Sequence, residues 1–293
     1  MLVLHPLHEH FAAELCGLDI SRPLDAAHFR EVQEAWSRRA VLVIRGQAIS
    51  DEQQLAFAKQ FGALEAFPPP ADGRRGGPEL LRISNVRADG AFLSPTDTTM
   101  KYVSMARAWH KDTTYNRVPS FGTVLRGVQI PVAGGETHFV DLRAAFERLP
   151  RSEQERLARF AALHSYEHAA RERGIATATP HAPIAAVHPL VAWHDDGRRS
   201  LFLSPLYMEK IEGMDGDAGA ALIAELVQCS TAPALIYRHQ WRENDIVLWD
   251  NRTTMHRVMP YADQSAARTM HRTVIGGAGY VEHLFVQRET LSA

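Results

Sequence analysis

Cysteine is nearly absent from the chain: only Cys16 and Cys229 occur, far apart and without CxxC spacing. That excludes a disulfide scaffold and a thiolate zinc knuckle, and a reducing, cytoplasmic location is the expectation. Long apolar runs are missing too, and none approaches the roughly 20 residues of a membrane span. The opening "MLVLHPLHEH" has no basic segment followed by a long apolar one, so no secretion signal is expected. Charge of one sign is lacking: the formal net charge is −2 and the basic residues form no long run. Neither a nucleic-acid nor a membrane-surface partner is therefore expected. Repeats, low-complexity tracts and breaks in composition are also missing. Residues 1–293 read as a single domain, with a homo-oligomer as the expected assembly.

What is present is a 45% apolar composition, ample for a packed core. "DAAHFREVQEAWSRRA" has the spacing of an amphipathic helix, and "VLVIRG" after it reads as a buried strand. Ser50 and Gln53 fit a capping box for a helix that ends near Gly62. "LLRISNV", "WHKDTTY", "FGTVLRGVQI" and "THFVD" read as strands, followed by helices over 141–149 and 152–164. "HPLVAWHDDGRRSLFLSP" is predicted as a hairpin turning at Asp-Gly. "DGDAGAALIAELVQCS" is predicted as a helix, "LIYRHQWRENDIVLWDN" as a second hairpin, and "ARTMHRTVIGG" as a late strand. Segments 87–101 and 165–183 read as long loops of the kind that cover a site. The pattern predicts a mixed α/β, mainly antiparallel chain built as a barrel or jelly roll with flanking helices.

Fifteen histidines make any single one weak evidence. In "WHKDTTY", alternation along a strand would put His110 and Asp112 on one face. His256, in "LWDNRTTMHRVMPY", is a candidate third member. Two histidines and one carboxylate on a triangular face suit non-haem Fe(II), while zinc also accepts these donors and a hydrolase stays open. A non-catalytic jelly-roll binding protein is a further alternative. In "ARTMHRTVIGG", Arg268 and Arg272 are four apart and share a strand face. Planar guanidinium groups there call for carboxylates or similar anions. Thr137, in "GGETHF", supplies a hydroxyl that could share such a carboxylate.

WHxD, then GG[DE]T, then WDNRxxxHR, then an RxxxR strand with a Gly-rich end resembles the taurine dioxygenase and chlorophenoxyacetate dioxygenase family. The resemblance covers most of the chain. It implies a double-stranded β-helix that uses Fe(II), α-ketoglutarate and O2. By position it implies that His110, Asp112 and His256 hold the iron. Thr137 and Arg268 would bind the distal carboxylate of α-ketoglutarate, and Arg272 the anionic group of the primary substrate. The implied reaction releases succinate and CO2 and hydroxylates a small anionic substrate, with bond cleavage where the carbon bears oxygen or nitrogen. Lys101 and Arg107 are expected to reinforce the anion site, and Tyr102, Phe92 and Trp193 to line an aromatic-accepting pocket. Ala106 stands where relatives often carry Asn, so recognition on that side is expected to differ.

Overall fold

The computed structural model describes residues 2–67, 78–175, 184–263 and 265–277. The frame is a seven-stranded sheet in which strand Ile246–Asp250 pairs antiparallel with both Val41–Ile44 and Gly122–Gln129. Thr269–Ile275 pairs with Gly122–Gln129, and Leu81–Ser84 closes that edge. At the other edge stand Val3–Pro6 and Ala13–Cys16, and Ala13–Cys16 with Val41–Ile44 is the one parallel pair among the described strands. The fold is mixed α/β with mostly antiparallel sheets.

Alternation assigns the two faces of this sheet. Leu42, Ile44, Val124, Ile246 and Leu248 pack outward, with Val32 and Trp36 of helix Ala26–Arg39 and Phe57 of helix Asp51–Lys59. Asp25 caps the first helix, and Ser50 with Gln53 forms the expected capping box on the second. Val41, Val43, Leu125, Val247, Trp249 and Met270 point inward. They meet Phe139 and Tyr237 from a three-stranded sheet of Ile236–His239, Thr137–Asp141 and Thr254–Val258. A further sheet of Met208–Ile211, Ala161–Ser165 and Ala185–Pro189 extends this side, and helix Gly216–Ser230 packs beneath it.

Several expectations change. The segments read as long loops contain helix: Tyr166–Glu172, capped by Ser165, lies within 165–183, and helix Thr98–Met105 begins within 87–101. "WHKDTTY" is no strand: His110 makes a single antiparallel bridge to His256, and the chain then turns at Asp112. Thr113 holds a left-handed φ of 52°, which a β-branched residue adopts only when its surroundings impose it. "LIYRHQWRENDIVLWDN" is no hairpin, because Ile236–His239 and Ile246–Asp250 belong to different sheets and the chain crosses between them. The helix expected over 152–164 ends as Arg151–Leu157, and Ala161–Ser165 is a strand whose apolar residues fill the core between two partners. The hairpin at Asp196-Gly197 forms, joining Val191–Trp193 to Arg199–Leu201.

Candidate active site

The bridge between His110 and His256 brings the two imidazoles to 4.2 Å between ring centres. Asp112, just past the bridge, turns back toward them. One ligand atom from each of His110, Asp112 and His256 lies within 4.8 Å of the others, and all three residues are buried. The proximity that strand alternation predicted is thus reached by a different route, through a bridge and a turn.

His256 is seated by its strand. Its register partner is Phe139, whose ring stacks on it at 5.9 Å, and Trp249 approaches from the opposite sheet at 4.8 Å. Burial first, and then His110, depress its pKa to about 3. Burial also lowers that of His110. Both rings therefore stay neutral and keep a lone pair for a metal. The His110 Nδ1 faces the Ala108 carbonyl at 2.9 Å; as the donor there, it leaves Nε2 free. Burial works against an ionised Asp112, yet the Arg272 guanidinium foremost, and the Thr123 hydroxyl, hold its pKa down at about 2. Two neutral imidazoles and one carboxylate, with the His256 Nδ1 buried and unpartnered, are a donor set that fits a divalent iron.

A cavity of about 1460 Å³ opens over this cluster, and Thr137, Arg268 and Arg272 also line it. Arg268 is 3% exposed, and burial draws its pKa down to about 10. Its Nη2 donates to the Gly135 carbonyl at 3.3 Å, its charge lies over the Tyr261 ring, and no carboxylate among the described residues pairs with it. An unpaired buried guanidinium is costly, so an anion is its natural partner. Gly135 makes room for it: at φ 73°, a Cβ there would stand 3.1 Å from Arg268 Nε. Gly134, at φ 76°, lies against the Pro260 carbonyl in the same way. Thr137 accepts from the Trp241 indole at 2.9 Å, which leaves its own O–H to donate elsewhere.

Arg272 donates from Nη1 to Asp112 Oδ1 at 3.1 Å and lies over the Phe67 ring. Near both, Glu65 has its pKa raised to about 7 by burial and by Asp112, with Arg272 opposing. The cavity also meets segment 87–101 at Arg87, Asp89 and Leu93, and helix Thr98–Met105 at Tyr102.

The remaining expectations fare differently. Tyr102 lines the cavity, whereas Phe92 and Trp193 do not. Phe92 sits on the surface in a bridge to Val86, and Trp193 packs against Arg199. Lys101 and Arg107 do not line it either. Arg107 is turned aside by an ion pair to Asp263 at 2.9 Å. Ala106 does line the cavity. Of segment 165–183, Tyr166 lines it, and residues 176–183 lie outside the described residues. Several contributors went unnoticed in the sequence: Trp241, Glu65, Thr123 and the tyrosines 115, 166 and 207. Each acts through contacts between distant segments. Asn251 lies inside the recognised WDNR motif, so its signal was present without its role.

Solved structures place the chain in a class. The crystal structure of AAD-2 in complex with Mn(II) and N-oxalylglycine superposes with a TM-score of 0.84 at 32% identity, covering 95% of this chain and 98% of that one. The 2,4-dichlorophenoxyacetate dioxygenase of Cupriavidus pinatubonensis, which is α-ketoglutarate-dependent, is 34% identical over 92% of this chain and 96% of its own length. The (S)-phenoxypropionate/α-ketoglutarate-dioxygenase of Delftia acidovorans is 33% identical over 94% and 95%. The class is that of α-ketoglutarate-dependent non-haem iron dioxygenases, enzymes that use Fe(II), α-ketoglutarate and O2. Within it, the chain belongs to the taurine catabolism dioxygenase TauD, TfdA family, whose model matches residues 4–274. No described helix is long and apolar enough to cross a membrane.

Proposed function

We propose that this enzyme oxidises a small organic anion, with His110, Asp112 and His256 holding the iron. One observation carries the reading: the three donors meet at a cavity that two arginines and a threonine also line. When bound, the metal supplies oxidation of the substrate coupled to decarboxylation of α-ketoglutarate to succinate and CO2.

The protein's own groups do the rest. Arg268, buried without a carboxylate partner, takes the distal carboxylate of α-ketoglutarate, and the free O–H of Thr137 donates to the same group. Arg272 takes the anionic group of the primary substrate. The chain's likeness to enzymes named for phenoxyacetate and phenoxypropionate supports an aromatic acid. So do the cavity walls, where Tyr102, Tyr115, Tyr166 and Tyr207 stand beside Leu81 and Leu206. These walls exclude water from the reacting carbon. The product is hydroxylated, and breaks down where that carbon bears oxygen or nitrogen. Neither Lys101 nor Arg107 is assigned a substrate contact. Residues 1–293 form one catalytic domain in this reading, and the facing sheets are those of a double-stranded β-helix. Segment 87–101 and Tyr166 wall the cavity on one side.

The test is a panel of anionic small molecules, scored for substrate-triggered succinate formation with Fe(II) and α-ketoglutarate. A carboxylate-bearing aryl ether is expected among the hits. A neutral compound turned over better than every anion would overturn the substrate class.

A further inference from the structure

Asp112 is buried at 3% exposure, and its two carboxylate oxygens have different neighbours. Oδ1 accepts from Arg272 Nη1 at 3.1 Å and lies 4.0 Å from His110 Nε2. Oδ2 is 2.8 Å from the Thr123 hydroxyl. Behind Thr123 is a chain of buried polar groups with only one consistent direction. The Trp249 indole can only donate, and it meets Asn251 Oδ1 at 2.8 Å. That contact fixes which end of the Asn251 amide is oxygen. Asn251 Nδ2 is then turned to the Thr123 and Ser120 hydroxyl oxygens, each at 2.9 Å. A Thr123 oxygen that accepts from Asn251 has its own proton left for Asp112 Oδ2. Ser120 likewise has its proton left for the Asp112 backbone carbonyl at 3.5 Å, and its N–H holds Thr113 Oγ1 at 2.9 Å.

All of these groups are almost wholly buried. Water is therefore not at hand to reverse the order, and one wrong orientation would leave a buried donor unmatched. The strain at Thr113 is held from the same place, since Ser120 grips both sides of that turn.

On the ligand reading given above, we infer that Trp249, Asn251 and Thr123 form a one-way hydrogen-bond relay that positions Asp112. The relay ties up Oδ2, so that Oδ1, which Arg272 approaches from one side, is the oxygen turned to the metal. These are positioning residues: none lies among the proposed ligands. The relay also explains why the WDN motif and the metal carboxylate are needed together, although well over a hundred residues separate them in sequence.

The probe is Mn(II) alone, titrated into the metal-free full chain and followed by the electron paramagnetic resonance of the free ion. Thr123→Val keeps the shape and loses the donor, so its Mn(II) affinity should fall about 10- to 100-fold, the usual effect of losing a partner behind a ligand. Thr123→Ser should stay near wild type. Asn251→Asp separates the relay from simple electrostatics. Surrounded by Trp249, Ser120 and Thr123 donors, the new carboxylate is ionised at pH 8. Attraction alone would tighten a cation, whereas the relay predicts weaker binding, because the introduced carboxylate would draw the Thr123 proton away from Asp112. Equal affinity in Thr123→Val and wild type, or tighter binding in Asn251→Asp, overturns the relay. If Thr123→Val does not fold, as its melting curve would reveal, Asn251→Asp decides alone. Asp112→Ala keeps the two readings apart. If it still binds Mn(II) normally, the ligand assignment fails. If it loses the ion while the other variants match wild type, only the relay fails.

Discussion

Arg272 donates to Asp112 Oδ1 at 3.1 Å, so a candidate metal carboxylate and a candidate substrate arginine are direct partners. They come from segments 160 residues apart, and both residues line the cavity. It places the charge that would recognise the substrate within one hydrogen bond of the metal cluster. A substrate anion on Arg272 is thereby held close to the reacting centre, which is what orientation requires.

That placement separates the two arginines in kinetics. Arg272→Ala should raise KM for the primary substrate roughly tenfold or more, as expected for a charge-assisted contact worth about 1.5–3 kcal/mol. KM for α-ketoglutarate should stay within about twofold. Arg272→Lys should recover only part of the loss, because an ammonium lacks the planar fork. Equal damage to both substrates would remove the distinction.

Arg268 should show the opposite selectivity together with a gain in stability. Arg268→Met is expected to raise KM for α-ketoglutarate about tenfold or more. The same change should raise the melting temperature of the chain measured without α-ketoglutarate. The reason is that a buried guanidinium without a carboxylate is replaced by an apolar chain of similar length. A lower melting temperature would mean that Arg268 is better compensated than its surroundings indicate.

Trp241 gives a milder version of that defect. Trp241→Phe removes the donor to Thr137 and frees the hydroxyl to rotate. KM for α-ketoglutarate should rise about threefold to tenfold, with kcat little changed. Thr137→Val should give an effect at least as large, and adding Trp241→Phe to it should do little more, since the two act through one group.

Glu65 predicts a pH dependence. Its pKa is raised from 4.5 to about 7 in the folded chain, so the native state favours the protonated form. That contribution is fully present below about pH 4.5 and is lost as pH rises through 7. Glu65→Gln, which cannot ionise, should therefore raise the melting temperature more at pH 8 than at pH 5. A chain of this size moves roughly 2–4 °C per kcal/mol. A melting-temperature gain that is the same at both pH values would show that Glu65 is not the group responsible.

The sequence by itself determined the class of this protein and named the candidate site residues. Ordered short motifs carried His110, Asp112, His256, Thr137, Arg268 and Arg272, and each reaches the cavity. Helix Ala26–Arg39, the capping box at Ser50 and the Asp196-Gly197 hairpin were also legible, because caps, turns and amphipathic spacing act within a few residues. Tertiary structure decided what depends on distant partners. His110 and Asp112 meet through a bridge to His256 and a turn at Thr113, not through strand alternation. Arg107 was lost to Asp263, and Trp193 to Arg199. Thr123, Trp241 and Glu65 gained their places only when distant segments met behind Asp112, Thr137 and Arg272. A hydrogen bond or an ion pair depends on distance in space, and sequence periodicity fixes that distance only within a single element.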